Sequence, residues 1–489
     1  MPPIDVDKII NSLLFNPQET LVFNSGFFLF LFFFFLLFYS LLRRFHTGKI
    51  VYITAFSYYF YYKAGGWNVL LLPVISLINF YVARWMNYIG NKTKRKFLLA
   101  GTVTVNLGIL GYFKYTNFFI ETFNQLNQTN FALCDIILPL GISFYVFQAI
   151  AYIIDVFRKN IEPVNSFVDF CFFISFFPKL LMGPIEKARN FIPQIFQDII
   201  LTDNDLGRGI FLIMCGIFKK IAIADYIGFN FVNRVFSSPL QYSGLENLLA
   251  VYGYALQIYC DFSGYADIAI GLALLIGYKL MDNFNAPYQS FSITEFWRRW
   301  HISLSTWLKD YLYISMGGNR RRKLRLYLNL WITMLLAGLW HGASWNFIFW
   351  GAGHGFLLVF ERFCNLPKLL DRHIFFKLAG VIVTFHLVCF LWIFFRADSF
   401  ATAWHIITQI FYAFNGQIFI QFVSGYKEVC LLMFLGYLLH FSPKIIETKI
   451  IEALTASGIL VKIFIVTFFI WAMIQIKSAD IQQFIYFQF

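Results

Sequence analysis

Between residues 26 and 42 the chain reads GFFLFLFFFFLLFYSLL, without one charged side chain. No water-soluble surface accommodates such a run, and a helix of about 20 mostly apolar residues is what a bilayer requires. The stretches ILPLGISFYVFQAIAYIIDVF (137–157), LAGVIVTFHLVCFLWIFF (378–395) and ILVKIFIVTFFIWAMIQIK (459–477) reach or approach that length. Further apolar stretches lie at 50–62, 68–83, 97–113, 209–224, 249–278, 326–341, 343–360 and 427–441. The chain is 59% hydrophobic and 13% charged, against about 45–50% and about 25% in soluble domains. Such apolar surface cannot be hidden in one soluble core. The reading is an all-α integral membrane protein, polytopic, with about ten to twelve transmembrane helices. Several candidates are short or carry glycine and charge, which predicts re-entrant and interfacial helices shielded by protein or water.

The net charge of +13 is distributed between the spans. Arg43, Arg44, His46 and Lys49 follow the first run, and NKTKRK (91–96), FKK (218–220) and NRRRKLR (319–325) form further groups. Basic loops of this kind mark the cytoplasmic side, which leaves the N-terminus outside. The first run lacks a small-residue cleavage site and does not read as a signal peptide. Nucleic-acid binding is not expected, because the basic groups alternate with spans and form no single surface. Seven cysteines, Cys134, Cys171, Cys215, Cys260, Cys364, Cys389 and Cys430, are scattered without metal-ligand spacing, so neither a disulfide framework nor a metal site is predicted.

No linker, repeat or acidic tail interrupts the chain, which reads as one membrane domain over 1–489. Residues 131–365 hold most of the intramembrane charge, and polar groups carried at such cost mark function. In FFPKLLMGPIEKARNFIPQI (176–195), Pro178, Gly183 and Pro184 break any long helix beside Lys179, Glu186, Lys187 and Arg189. That stretch is a loop between spans or a re-entrant element lining a cavity. In LQIYCDFSGYADIAIGLALLIGY (256–278), Asp261 and Asp267 lie six residues apart, hence on different helical faces. Pairing with Lys or Arg and the lining of a cavity both remain open for them.

Residues 286–325 begin with SITE, a capping box with Ser292 at the N-cap and Glu295 at N3. A Trp- and Arg-rich amphipathic helix of interfacial type is predicted to follow. On it Trp297, His301 and Ser305 share a face at i, i+4, i+8 spacing. Arg320, Arg321 and Arg322 then suit positive-inside anchoring, or are candidates to receive the phosphates of coenzyme A or a phosphopantetheine arm. In LLAGLWHGASWNF (335–347), Gly338 and Gly342 thin the chain around His341 and allow close approach by a backbone, helix or ligand. Trp345 and His354 follow in sequence. A lone histidine in an apolar run is more often packed than catalytic. Yet desolvation disfavours the imidazolium, and a neutral ring can take a proton from a hydroxyl, as acyl transfer demands.

The ordered set LPLGISFYVFQAIAYIID (138–155), FFPKLLMGPI (176–185), YCDFSGYADIAIG (259–271), NFNAPYQSFSITEFWRRWHISLSTWLKDYLYISMGGNRR (283–321) and GLWHGASWNFIFWGAGHG (338–355) resembles the membrane-bound O-acyltransferase family. It is most similar to the bacterial branch that modifies alginate, peptidoglycan and teichoic acid. The motif core is about 138–355. The resemblance implies helices around a central funnel or tunnel, with His341 catalytic and His301 as a second functional histidine. Trp297, Ser305, Arg320, Arg321 and Arg322 become candidates for donor binding. It further implies multi-pass insertion in the cell inner membrane, no tightly bound cofactor, and a cytosolic acyl donor, acetyl-CoA. The acceptor is an extracytoplasmic polysaccharide, reached directly or through a periplasmic or secreted esterase-like acetyltransferase partner. D-alanyl transfer from a phosphopantetheine carrier to a cell-envelope polymer is the alternative within the family, and a transporter of acyl groups or polymer is the alternative outside it. Lys179 stands where the family carries Gln in this loop, which puts the loop's local chemistry in question.

Overall fold

The computed structural model describes residues 12–18, 20–23, 25–320, 322–475 and 484–485, and among them there are helices and no strand. Among the described residues, each apolar stretch named above falls largely on helix. Four helices are long and apolar enough to cross a membrane, His46–Tyr88, Lys92–Asn127, Gly244–Leu275 and Ile374–Arg396. Two bent pairs raise that number to six: Phe400–Tyr412 with Gly416–Gly425 (91°), and Lys427–His440 with Lys444–Ala456 (88°). This is fewer than the ten to twelve spans expected. Apolar runs such as Gly26–Leu42, Ile142–Phe157 and Ile459–Gln475 make helices that are short by that criterion, and other runs are divided by bends and turns.

Two compact units are formed, Met1–Asp205 with Leu272–Met281, and Leu206–Gly271 with Asp282–Phe489. Neither is one continuous piece of chain. In the first, Phe177 packs edge-on against Phe35, Phe56 and Phe60 at 5.5, 5.1 and 6.0 Å. Pro178 sits in the first turn of a short helix, Phe177–Leu180, where its missing N–H is harmless. Lys179, at the family's Gln position, is fully buried. Its ammonium is held by the Gln148 side-chain oxygen and the Phe173 carbonyl, and it lies 4.3 Å from the Phe173 ring centroid. Glu186, also buried, accepts from the Met281 N–H at 2.5 Å. Residues 176–188 are thus a buried segment in which a short helix passes into a turn, bonded to Gln148, Phe173 and Met281, while Arg189, Asn190 and Pro193 are exposed.

In the second unit, helix contacts run along glycines. A Cβ on Gly216 would stand 2.4 Å from the Gly264 carbonyl oxygen, and one on Gly271 would stand 2.7 Å from that of Gly209. Without water to drive association, such small-residue seams let helices approach closely. Just beyond the seam the chain widens into a π-helical turn, Phe218–Asp225. From it Lys219 reaches Asp267 at 2.6 Å, and Lys220 reaches Asp261 at 2.7 Å and Asp225 at 2.8 Å. Both helix carboxylates are thus paired with lysines, and Asp261 also lines a cavity.

A second seam joins Lys323–His341 to Trp345–Phe363. A Cβ on Gly338 would meet the Phe347 carbonyl oxygen at 2.2 Å and the Gly351 Cα at 3.0 Å. Gly338→Ala forces this backbone apart, an overpacking that costs about 1–3 kcal/mol. The expected result is a lower thermal unfolding temperature in detergent and a looser site at His341. An unchanged melting curve would refute the close-packing account.

Candidate active site

The helix Lys323–His341 ends at His341 because Gly342 leaves the helix into extended backbone (φ −163°, ψ 155°). The chain turns, Ser344 caps the next helix by accepting from the Asn346 N–H, and Trp345–Phe363 runs back. Gly342 has no room for a side chain, since a Cβ there would lie 2.1 Å from the Phe347 ring. The predicted close approach is therefore made by a neighbouring helix and an aromatic ring. His341 is 3% exposed. Its ring is met edge-on by Trp340 at 4.9 Å, Trp350 at 5.0 Å and Phe395 at 5.3 Å. Trp345, the first residue of the return helix, is 52% exposed.

His301 does not sit on a continuous helix. The capping box forms as predicted at its first bond, Glu295 N–H to Ser292 Oγ at 3.1 Å, while the Glu295 carboxylate accepts from Phe291 N–H at 2.9 Å. The helix Ile293–Arg299 then stops, His301 takes a left-handed conformation (φ 42°), and a new helix runs Ile302–Trp307. The break is held by the 283–285 segment, where Asn285 N–H donates to Arg299 O and Ile302 N–H donates to Asn283 O, both at 2.9 Å. The shared face expected for Trp297, His301 and Ser305 is therefore absent. Trp297 turns to His354, donating from Nε1 to Nδ1 at 3.3 Å, and Ser305 Oγ donates to the Trp300 carbonyl at 3.3 Å. Trp297, Trp300 and Trp307 are buried, so this segment is an internal element rather than an interfacial helix.

The break determines which nitrogen of His301 is basic. Asn283 Oδ1 accepts from the Ser303 backbone N–H at 3.1 Å, which identifies that atom as the amide oxygen. His301 Nδ1 faces the same oxygen at 3.1 Å. An amide oxygen only accepts, so Nδ1 carries the hydrogen and Nε2 of the neutral ring is the basic nitrogen. The His301 ring lies 4.6 Å from Phe262 and 6.0 Å from Trp340. One indole, that of Trp340, thus touches both imidazoles singled out from the sequence. His354, buried on the return helix, meets Trp350 edge-on at 4.8 Å. Because its Nδ1 accepts, its Nε2 carries the hydrogen, and that donor has no acceptor among the described residues.

Beside His341 lies a cavity of about 310 Å³ whose wall includes Phe347 and Phe395, with Asp225, Asp261, Asn346 and Arg396. Phe395 is the ring common to the cavity and to His341. Arg396 is held by Asn233 Oδ1 at 3.0 Å, and Asn346 Nδ2 donates to the Ala397 carbonyl at 2.7 Å. Arg320 and Arg322 are exposed at the start of the helix that ends in His341, about 27 Å away along its axis at 1.5 Å per residue. That position suits membrane-end anchoring. Arg321 lies outside the described residues. Sequence reading passed over Asn283, Ser303, Trp350, Phe395 and Arg396. Asn283 was visible only as the first letter of NFNAPYQ, with nothing local to announce a partner eighteen residues away.

The arrangement is that of a membrane-embedded acyltransferase: buried imidazoles, a defined tautomer, and a polar cavity reaching within one ring of His341. The chain belongs to the membrane-bound O-acyltransferase family, whose family model matches residues 156–366 and so includes both histidines. Over 401 residues it is 39% identical to the probable alginate O-acetylase of Pseudomonas aeruginosa, covering 80% of this chain and 75% of that protein. It is 35% identical to the peptidoglycan O-acetyltransferase of Helicobacter pylori, covering 79% of each chain. With the teichoic acid D-alanyltransferase of Bacillus subtilis it shares 30% identity over 53% of this chain and 69% of that one. Family membership makes the chain an acyltransferase.

Asn283→Leu removes one acceptor from three donors, the Ser303 N–H, the Ser303 hydroxyl and His301 Nδ1–H. A loss of about 1–3 kcal/mol is expected, together with a fall in acyl transfer that Ser303→Ala, which removes only one of those bonds, reproduces weakly. Equal activity losses in the two variants would remove Asn283 from its orienting role.

Proposed function

We propose that this chain transfers an acetyl group from cytosolic acetyl-CoA to a hydroxyl of an extracytoplasmic polysaccharide, directly or through a secreted esterase-like partner, from the cell inner membrane. The observation that carries the reading is the joining of His341 and His301 through Trp340 beside the polar cavity. The extent of similarity to polymer O-acetyltransferases supports acetyl as the group moved. D-alanyl transfer from a phosphopantetheine carrier is the second reading, favoured by a similarity that covers less of the chain.

His341 acts as general base. It takes the proton of the acceptor hydroxyl as the oxygen attacks the thioester carbonyl, and collapse of the tetrahedral adduct forms the ester and releases the coenzyme A thiolate, which then takes up a proton. His301, with Nε2 as its basic atom, accepts a proton or a donor N–H. Its neutral tautomer does not donate to the thioester carbonyl from that nitrogen. Arg320, Arg322, Lys323 and Arg325 crowd the start of the helix that ends in His341. By the positive-inside rule that end faces the cytosol, and Ser344, Asn346 and Arg396 then meet the acceptor from the opposite side.

His341→Ala should lower acetyl transfer from labelled acetyl-CoA in membrane vesicles by about 10²–10⁴-fold, with membrane insertion and thermal stability retained. Normal transfer by this variant would defeat the assignment of the base. Labelled acetyl-CoA compared with a D-alanyl-charged carrier in the same vesicles discriminates between the two donors, and turnover with the carrier alone would replace acetyl by D-alanine.

A further inference from the structure

A second cavity, of about 330 Å³, lies in the Met1–Asp205 part of the chain at the start of the helix His46–Gly65, and nothing in the acyl-transfer chemistry uses it. Its wall carries Arg43, Arg44, His46 and Lys49 against one carboxylate, Asp198. Arg43, Arg44 and His46 are exposed, as membrane-end anchors are, but Lys49 is only 3% exposed. Its ammonium makes no hydrogen bond and no ion pair among the described residues, Asp198 included. Asp198 is the one carboxylate on this wall whose charge acts on it, without a direct ion pair, so the cations Arg43, Arg44 and Lys49 face a single anionic group, and a poorly compensated charge favours an added anion. No side chain caps the His46–Gly65 helix at Phe45, so first-turn N–H groups and the positive end of the helix dipole add to the same field. The opposite wall is built to stay in place. His46 Nε2 donates to the Ile195 carbonyl at 3.1 Å, and its ring stacks on Phe196 at 5.6 Å and 14°.

We propose that this cavity binds a phosphate-bearing anion, with Lys49 as its buried counter-charge and Arg43 and Arg44 as its rim. Guanidinium groups suit phosphate oxygens by geometry, and a lysine supplies a point charge. By the positive-inside rule the site faces the cytosol. Two sources supply the same chemistry there, the headgroup of an anionic phospholipid or the phosphates of a soluble nucleotide such as coenzyme A. The coenzyme A case rests on the donor reading above, and the lipid case does not.

The test uses the purified full-length protein with two probes. Native mass spectrometry from micelles containing phosphatidylglycerol or phosphatidylcholine reports retained lipid, and equilibrium dialysis with radiolabelled coenzyme A reports the nucleotide. The wild type and Lys49→Arg should bind one of the two anionic probes, with Lys49→Gln and the exposed Arg44→Gln about tenfold weaker. Selective retention of phosphatidylglycerol that Lys49→Gln and Arg44→Gln weaken assigns the site to a lipid headgroup, and coenzyme A binding that the same two variants weaken assigns it to a free phosphate. Arg44→Gln keeps the test valid if Lys49→Gln fails to fold, and His341→Ala, inactive in transfer, should bind the anion as the wild type does. Binding of both probes that is unchanged in Lys49→Gln and Arg44→Gln, or absent from the wild type, overturns the proposal.

Discussion

The close approach of Lys323–His341 and Trp345–Phe363 along Gly338 and Gly351 is the contact on which the site depends. Lipid offers no hydrophobic force to press two apolar helices together, so van der Waals fit between backbones has to do it. A Cβ on either glycine would strike the facing helix, on Gly338 at the Phe347 carbonyl and on Gly351 at the Met334 carbonyl. With the backbones this close, Trp350 on one helix reaches the ring of His341 on the other. The imidazole at the end of the first helix is thereby walled by indoles and Phe395 instead of facing lipid.

The polar groups of the same unit follow a second constraint. A charge or amide withdrawn from water must be satisfied inside the protein. Lys220 sits between Asp225 and Asp261, and Asn283 gathers the Ser303 and His301 donors onto one oxygen. The second arrangement has a chemical consequence that the first lacks. By occupying Nδ1 of His301 it leaves the proton-accepting lone pair on Nε2. A structural requirement, the bonding of a helix break, therefore determines which nitrogen is available for chemistry.

Much of the architecture was legible in the linear pattern. Apolar runs announced the helices, the Gly–His–Gly neighbourhood announced close packing at His341, and SITE announced a helix start that forms where expected. The intramembrane carboxylates, read as either paired or cavity-lining, turn out paired, with Asp261 serving both roles. Periodicity failed at Trp297, His301 and Ser305. It assumes an unbroken helix, and this one is interrupted by hydrogen bonds from residues 283–285. Hydropathy likewise registers apolar runs but not the turns that cut some of them into helices too short to count as full-length spans.

The sequence by itself determined that this chain lives in a membrane, that it is helical, and that its costly imidazoles lie at His301 and His341, because composition, apolar run length and motif order are properties of neighbours along the chain. Only the tertiary structure decided that Trp340 touches both rings, that Asn283 orients one of them, and that a polar cavity comes within one phenyl ring of the other. Those relations join residues remote in sequence, and they arise from glycine-thin helix contacts and from the need of each buried donor for an acceptor, neither of which any local pattern records.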